Sequence, residues 1–332
     1  MTPMNSVRLG TSGLKVSEIC LGTMTFAREA DEQTSFSIMD CFWDQGGYFL
    51  DTANAYSGGA SEETVGRWMK ERGQRGSLII ATKVFGRMGP GPNDGGLSRH
   101  HIVNEVEQSL RRLQTDVIDL FQIHRWDTGS PLEETARALD DLIRSGKVRY
   151  IGCSNLRAYQ LLAYLHYAET HLLSRFVSIQ PAYSALNRAI ELEVLPLVER
   201  EGLGVIPYNP LAAGLLTGKY QKDSAPPSGA RLEADKNYHR RYYTDEALDI
   251  AERFVRHADA IGLTPAQLAV AWVRADARIT APIVGARNVE QLLDSLGALD
   301  RSLTVEERAA VPAIATGRWV GEDPLYDRTP YK

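Results

Sequence analysis

The run "DVIDLFQIHRWD", residues 116–127, is apolar at most positions from Val117 to Ile123 and turns polar at His124. A strand with one wet face would alternate strictly, so this one reads as covered on both faces, as in a parallel sheet. "LIIATK" at 78–83 and "GVIPYN" at 204–209 have the same character. Outward from these, strand-like runs recur at Glu18–Gly22, Tyr48–Asp51, Leu78–Lys83, Val117–His124, Val148–Ser154, Phe176–Pro181, Gly204–Asn209 and Ile279–Val284. Helical periods begin near Glu32, Ser61, Ser98, Leu132, Leu156, Glu191, Asp245 and Asn288. Ser61 and the pair Thr264-Pro265 look like helix starts, and "SGKVRY" around Gly146 stops a helix directly before a strand.

Eight alternating units predict an α/β fold, a (β/α)8 TIM barrel, with residues 1–332 forming one domain. A doubly wound open sheet is the alternative, but no GxGxxG follows its first strand. "VRLGTSGLKVSEICLG" predicts an N-terminal β-hairpin. Two long loops follow the third and seventh strands, Val84–Leu97 and Leu211–Tyr243. In a barrel both overhang the C-terminal face, where ligands bind.

Composition narrows the function. With 43% hydrophobic and 24% charged residues and a net charge of −5, the chain is globular and lacks the basic surplus of a nucleic-acid binder. Cys20, Cys41 and Cys153 have no metal or redox spacing and read as buried thiols. No apolar run reaches the ~20 residues of a membrane span, and the opening has no signal-like core. These features predict a cytoplasmic protein that binds neither membrane nor metal. "GLLTGKY" falls one residue short of a Walker A loop and ends in Tyr220. His100 and His101 are adjacent, so a helix would point them apart.

The strand tips carry the chemistry. The second strand ends at Asp51 with Tyr56 just beyond, the third at Lys83, the fourth at His124. Taken singly, an acid there caps a turn, a lysine is a surface charge and a histidine is a core residue. Together on consecutive strands they make a relay. An ammonium lowers the pKa of a neighbouring phenol, and a carboxylate keeps that ammonium charged. A neutral imidazole can donate to the same substrate oxygen. Such a site protonates a carbonyl oxygen, and no nucleophile or metal set accompanies it, so the carbon must receive hydride from a cofactor.

The motifs "LDTANAYSGGASEETVG", "IATKV", "QIHRWD", "SGKVRYIGCSN", "IQPAYS", "PYNPLAAGLLTGKY" and "PIVGARNVEQL" resemble the aldo-keto reductases, in the branch related to potassium-channel β subunits. The resemblance implies an NADP(H)-dependent reductase of aldehydes or ketones in which Asp51, Tyr56, Lys83 and His124 form the catalytic tetrad. Tyr56 would donate the proton, Lys83 would lower its pKa, Asp51 would hold Lys83, and His124 would orient the carbonyl. For the cofactor it implies Gly22, Thr23, Met24 and Asp51 near the nicotinamide, with Ser154, Asn155 and Gln180 on its carboxamide and Tyr208 stacked on the ring. Asn209, Pro210, Leu211, Gly214, Leu216, Gly218 and Lys219 would wrap the pyrophosphate. Gly285, Ala286, Arg287, Gln291 and Ser295 would meet the adenosine end, with Arg287 on the 2′-phosphate. An arginine fork at a helix N-terminus suits a phosphate on physical grounds as well. Ser295 stands where the family often has Asn, and Asp294 beside it would approach that phosphate.

Met24, Phe26, Tyr56, Phe85, His124 and Trp126 are the expected substrate pocket. Lys222, Arg231, Lys236, His239, Arg240 and Arg241 make the second long loop cationic. Two further readings compete: an NADP(H)-binding regulatory sensor with little turnover, and a barrel hydrolase or lyase. The sequence leaves the identity of the carbonyl and the oligomeric state open.

Overall fold

The computed structural model describes residues 4–222 and 224–314. The ends of the expected 1–332 span, and the Arg241 side chain, lie outside what is described. Two short antiparallel strands, β1 (Ser6–Arg8) and β2 (Lys15–Ser17), open the chain in register Val7↔Val16. Eight parallel strands follow: β3 (Cys20–Gly22), β4 (Phe49–Asp51), β5 (Ile79–Val84), β6 (Ile118–Ile123), β7 (Val148–Ser154), β8 (Ser178–Gln180), β9 (Gly204–Val205) and β10 (Ile283–Gly285). Each pairs with its neighbour, and β10 returns to pair with β3. The ring closes on the remaining side because Thr280 N–H donates to Val205 O and Ile283 N–H to Pro207 O, both at 2.8 Å. The fold is a (β/α)8 barrel with an N-terminal hairpin.

Helices α1 (Glu32–Asp44), α2 (Ala60–Arg72), α3 (Arg99–Arg112), α4 (Leu132–Arg144), α5 (Ala158–Thr170) and α6 (Val194–Glu201) cover the strands. After β9 come α7 (Arg231–Ala234), α8 (Lys236–Tyr242), α9 (Asp245–Ala260) and α10 (Pro265–Arg274), and after β10 come α11 (Val289–Leu296) and α12 (Val305–Ile314). The helices turn an apolar stripe inward; α4 buries Thr135, Ala136, Ala138, Leu139 and Leu142, positions three and four apart. Inside the barrel a separate apolar layer, including Cys20, Phe49, Ala81, Leu120 and Ile206, is plugged from below by Leu9 and Val16 of the hairpin. That hairpin docks through Gly10, where φ is +57° and a Cβ would meet Gly202 O at 2.5 Å. The barrel floor is therefore dry, and polar side chains collect at the opposite, C-terminal end.

Several expected boundaries shift for local reasons. β9 stops at Val205 rather than Asn209 because Pro181, after β8, has no N–H to give Ile206 O; Tyr208 rejoins only as a single bridge to Ala182. β10 starts at Ile283, after Pro282. Ser61 is not the cap of α2: Gly59 is, and Ser61 lies in the first turn with its hydroxyl on Thr23 O. Thr264 does form a capping box with Gln267, as its sequence predicts. The expected loop Leu211–Tyr243 contains a 3-10 segment at Ala212–Thr217 and helices α7 and α8, all too short to show a helical period. Among the described residues no helix is long and apolar enough to cross a membrane.

Candidate functional site

Lys83 is fully buried at the end of β5. Its Nζ donates to Asp51 Oδ2 at 2.5 Å, to Thr52 O at 2.7 Å and to Tyr56 Oη at 3.1 Å. An ammonium has three protons, and all three are used. Asp51 ends β4, so the ion pair spans neighbouring strands. Tyr56 is delivered by a tight turn in which Ser57, Gly58 and Gly59 all take positive φ. At Gly59, φ +102°, a Cβ would meet Arg112 Cδ at 2.8 Å, so the turn into α2 requires glycine there. The rings of Tyr56 and His124 meet edge-on, centroids 5.9 Å apart. The four expected groups thus converge.

Their protonation follows from burial and neighbours. Removal from water pushes the Tyr56 phenol up, Lys83 pulls it down, and the net direction is upward. The phenol therefore holds its proton at neutral pH; Lys83 does lower its pKa, as the sequence reading expects, but burial raises it by more. Burial works against the Lys83 ammonium, but Asp51 and Tyr56 outweigh it and the group stays charged. Burial, with Lys83 and Arg125, holds His124 well below the usual imidazole range, so the ring is neutral. Backed by the charged amine, a protonated phenol and a neutral imidazole can together donate to, and protonate, one oxygen.

A fifth group is absent from the sequence reading. Gln122, fully buried on β6, donates from Nε2 to Asp51 Oδ1 at 3.2 Å. Gln180 Nε2 donates to the same oxygen at 2.8 Å. The signal for Gln122 was a polar residue two positions before His124, inside an otherwise apolar strand.

A cleft of about 390 Å³ opens from this cluster. Of the expected residues, Gly22, Met24, Asp51, Tyr56, His124, Ser154, Asn155, Gln180, Tyr208, Asn209, Pro210, Leu211, Gly214, Lys219, Gly285, Ala286, Arg287, Gln291 and Ser295 line it. Asn155, at φ +56°, ties the wall together: its Nδ2 donates to His124 O at 3.0 Å, and its Oδ1 accepts from Tyr208 Oη at 2.8 Å. At the far end Lys219, Arg231 and Arg287 gather. Partial desolvation, Arg287 and Arg231 lower the pKa of Lys219. Arg231 has Glu29 at 3.6 Å, while among the described residues Lys219 and Arg287 pair with no carboxylate. Asp294 turns to Thr264, whose hydroxyl donates to it at 2.6 Å. At Gly214 a Cβ would meet Lys219 Nζ at 2.8 Å, so the backbone is cut away beside that amine. A ligand carrying several phosphates fits this end.

Six expected residues are placed elsewhere. Phe26 is fully buried in the core, its N–H donating to Thr23 O at 3.0 Å and its carbonyl accepting from Ser57 Oγ at 2.9 Å. Phe85 packs on the core under the Arg125 guanidinium, 4.2 Å from its ring, and Trp126 packs on the same core. Thr23 is fully buried with its hydroxyl on Ser61 and Asp51 O. Leu216 is core, and Gly218 faces Val255. Conversely Arg231 and Tyr238 line the cleft, carried there by α7 and α8, whereas the sequence places Arg231 only in a cationic loop. The Arg231 guanidinium lies 5.6 Å from the Tyr238 ring centroid.

Comparison with known proteins agrees with this geometry. The model of the Aldo/keto reductase family matches residues 18–316. The chain is similar to the oxidoreductase YrpG of Bacillus subtilis (strain 168), 41% identical over 313 residues, covering 91% of this chain and 93% of that one. It is 39% identical over 302 residues to a probable voltage-gated potassium channel subunit beta of Arabidopsis thaliana, covering 90% and 92%. It is 33% identical over 310 residues to a norsolorinic acid reductase of Aspergillus flavus, covering 90% and 77%.

Proposed function

The chain belongs to the aldo/keto reductase family of oxidoreductases, and from that premise we propose that it reduces an aldehyde or ketone to the alcohol with NADPH. The observation that carries the reading is Lys83 Nζ held between Asp51 at 2.5 Å and Tyr56 at 3.1 Å, at the inner end of a cleft whose outer end is cationic. The residues present fit NADP(H). Gln180, Ser154 and Asn155 would hold the carboxamide, Tyr208 would flank the ring, and Lys219 and Arg287 would take the phosphates. Bound there, the reduced nicotinamide would supply hydride to the carbonyl carbon.

The protein's own groups supply the rest. His124, neutral, donates its N–H to the carbonyl oxygen and sets its position. As negative charge develops on that oxygen, the Tyr56 O–H transfers its proton to it. Lys83 stabilises the phenolate left behind, and Asp51 keeps Lys83 charged throughout. Arg287, a planar fork near the start of α11, favours the 2′-phosphate and hence NADPH over NADH.

The likeness to a probable channel subunit favours a second reading, an NADP(H)-binding sensor with little turnover. One experiment separates the two. NADPH consumption, followed by its near-ultraviolet absorbance, is measured with a panel of aldehydes and ketones, and NADPH binding is titrated in parallel. Turnover of at least one carbonyl is expected. Binding without any turnover would move the reading to the sensor, and absence of binding would remove both.

A further inference from the structure

The Asp51 carboxylate is held from both sides. Oδ2 faces Lys83, and Oδ1 accepts from Gln122 Nε2 at 3.2 Å and Gln180 Nε2 at 2.8 Å. The ionised carboxylate has no proton to give, so each glutamine must turn its NH2 toward it. For Gln180 this fixes the other end of the amide. Among the described residues its Oε1 accepts no hydrogen bond, and Gln180 lines the cleft. Gln122 locks that orientation a second time, because its Oε1 accepts from Gln180 Nε2 at 3.5 Å. The strands make room for this arrangement. Gln122 sits in register with Lys83 on one side and Gly152 on the other. At Gly152 a Cβ would meet Ser178 Oγ at 2.7 Å and Gln122 Cγ at 3.3 Å. A side chain there would collide with Ser178 and press on the Gln122 stem.

We propose that Gln122, which does not line the cleft, is a positioning residue that fixes Gln180 as a hydrogen-bond acceptor and so makes the nicotinamide site read a carboxamide N–H. The inference rests on the proposed use of NADP(H). It deepens that reading by linking cofactor selection to the carboxylate that also holds Lys83. A ligand offering an N–H to Gln180 is favoured; one offering only a carbonyl and a methyl leaves a buried acceptor unmet, which is the costly case.

The test is binding, not turnover. Affinity for NADP+ is compared with that for its 3-acetylpyridine analogue, in which a methyl group replaces the amide NH2, by calorimetry. The native protein is expected to prefer NADP+ by about tenfold, one net hydrogen bond. Gln122→Met, similar in volume and lacking the amide, is expected to bring the ratio below about threefold by loosening Gln180. A merely structural role would weaken both ligands equally and leave the ratio intact, which would overturn the proposal while leaving NADP(H) use standing. No preference in the native protein would overturn it as well. Failure of the native protein to bind either dinucleotide would remove the cofactor reading and this proposal together. Gln122→Leu provides the same readout if the methionine variant does not fold.

Discussion

The two ends of the cleft solve opposite electrostatic problems. At the inner end Lys83, fully buried, spends its three protons on Asp51, Thr52 and Tyr56, and Asp51 is met in turn by two amides. At the outer end Lys219, Arg231 and Arg287 gather, and among the described residues only Arg231 has a carboxylate, Glu29 at 3.6 Å, which it shares with Arg28. At one end the charges are satisfied within the protein, by groups set on or just beyond strand tips. The other carries surplus positive charge on a helix start and on the segment after β9, and it becomes complete only with an anion. The contrast separates groups built to act from groups built to hold: a preorganised acid needs its neighbours satisfied before substrate arrives, whereas a phosphate site needs them unsatisfied.

The largest expected effect tests completeness at the inner end. Lys83→Met leaves Asp51 buried with its charge unpaired, and breaking such a pair costs about 3–5 kcal/mol. Lys219→Met, at the exposed end, is expected to change stability by no more than about 0.5 kcal/mol, since its like-charged neighbours gain from its removal. Urea denaturation of the two variants measures the difference. Equal costs would mean the two ends are not different in kind. Next comes Tyr56→Phe, which keeps the ring but removes the acid. Turnover is expected to fall by at least ~10²-fold with NADPH affinity unchanged, and unaltered turnover would take the proton-donor role from Tyr56.

Arg287→Ala tests the outer end. It is expected to weaken NADPH by about tenfold and NADH hardly at all, because only NADPH presents the 2′-phosphate that a guanidinium fork can grip. Equal weakening of both would make Arg287 a contact to the shared part of the dinucleotide. Lys219 and Arg231 would then be the residues to compare.

The inner end was the more legible of the two, for a physical reason. Strand tips are fixed by apolar runs of period or continuity that sequence displays, and that alone puts Asp51, Lys83 and His124 on one face. Gln122 escaped because a polar residue within a buried strand has many explanations, and only the register with Gly152 shows where it points. Phe26, Phe85 and Trp126 were assigned to the pocket on their position after strand ends, yet packing took their rings into or against the core. Arg231 and Tyr238 owe their place in the cleft to α7 and α8, helices of four and seven residues. Elements that short have no period to read, and tertiary contacts such as the bond from Asn209 Nδ2 to Tyr242 Oη at 2.9 Å set their position instead.

The smallest expected effect bears on His124, the member of the inner cluster with no charge partner. Its imidazole is held well below the ordinary value of 6.5 by burial, Lys83 and Arg125. The unfolded chain therefore takes up a proton near pH 6.5 that the folded one refuses. A group depressed in the fold contributes stability that is present above the unfolded pKa and is lost as pH falls below it. Between about pH 7.5 and pH 5.5 the loss comes to about 1.4 kcal/mol if His124 stays neutral in the fold. His101, also lowered by burial, adds to the native slope but is common to any variant at position 124. In His124→Gln the difference between the two pH values is expected to shrink by about that amount, measured as urea unfolding free energies. Identical pH dependence in both proteins would mean that the ring already takes a proton in the folded state. The inner end would then carry two positive charges against Asp51, and the contrast with the outer end would narrow to one of burial alone.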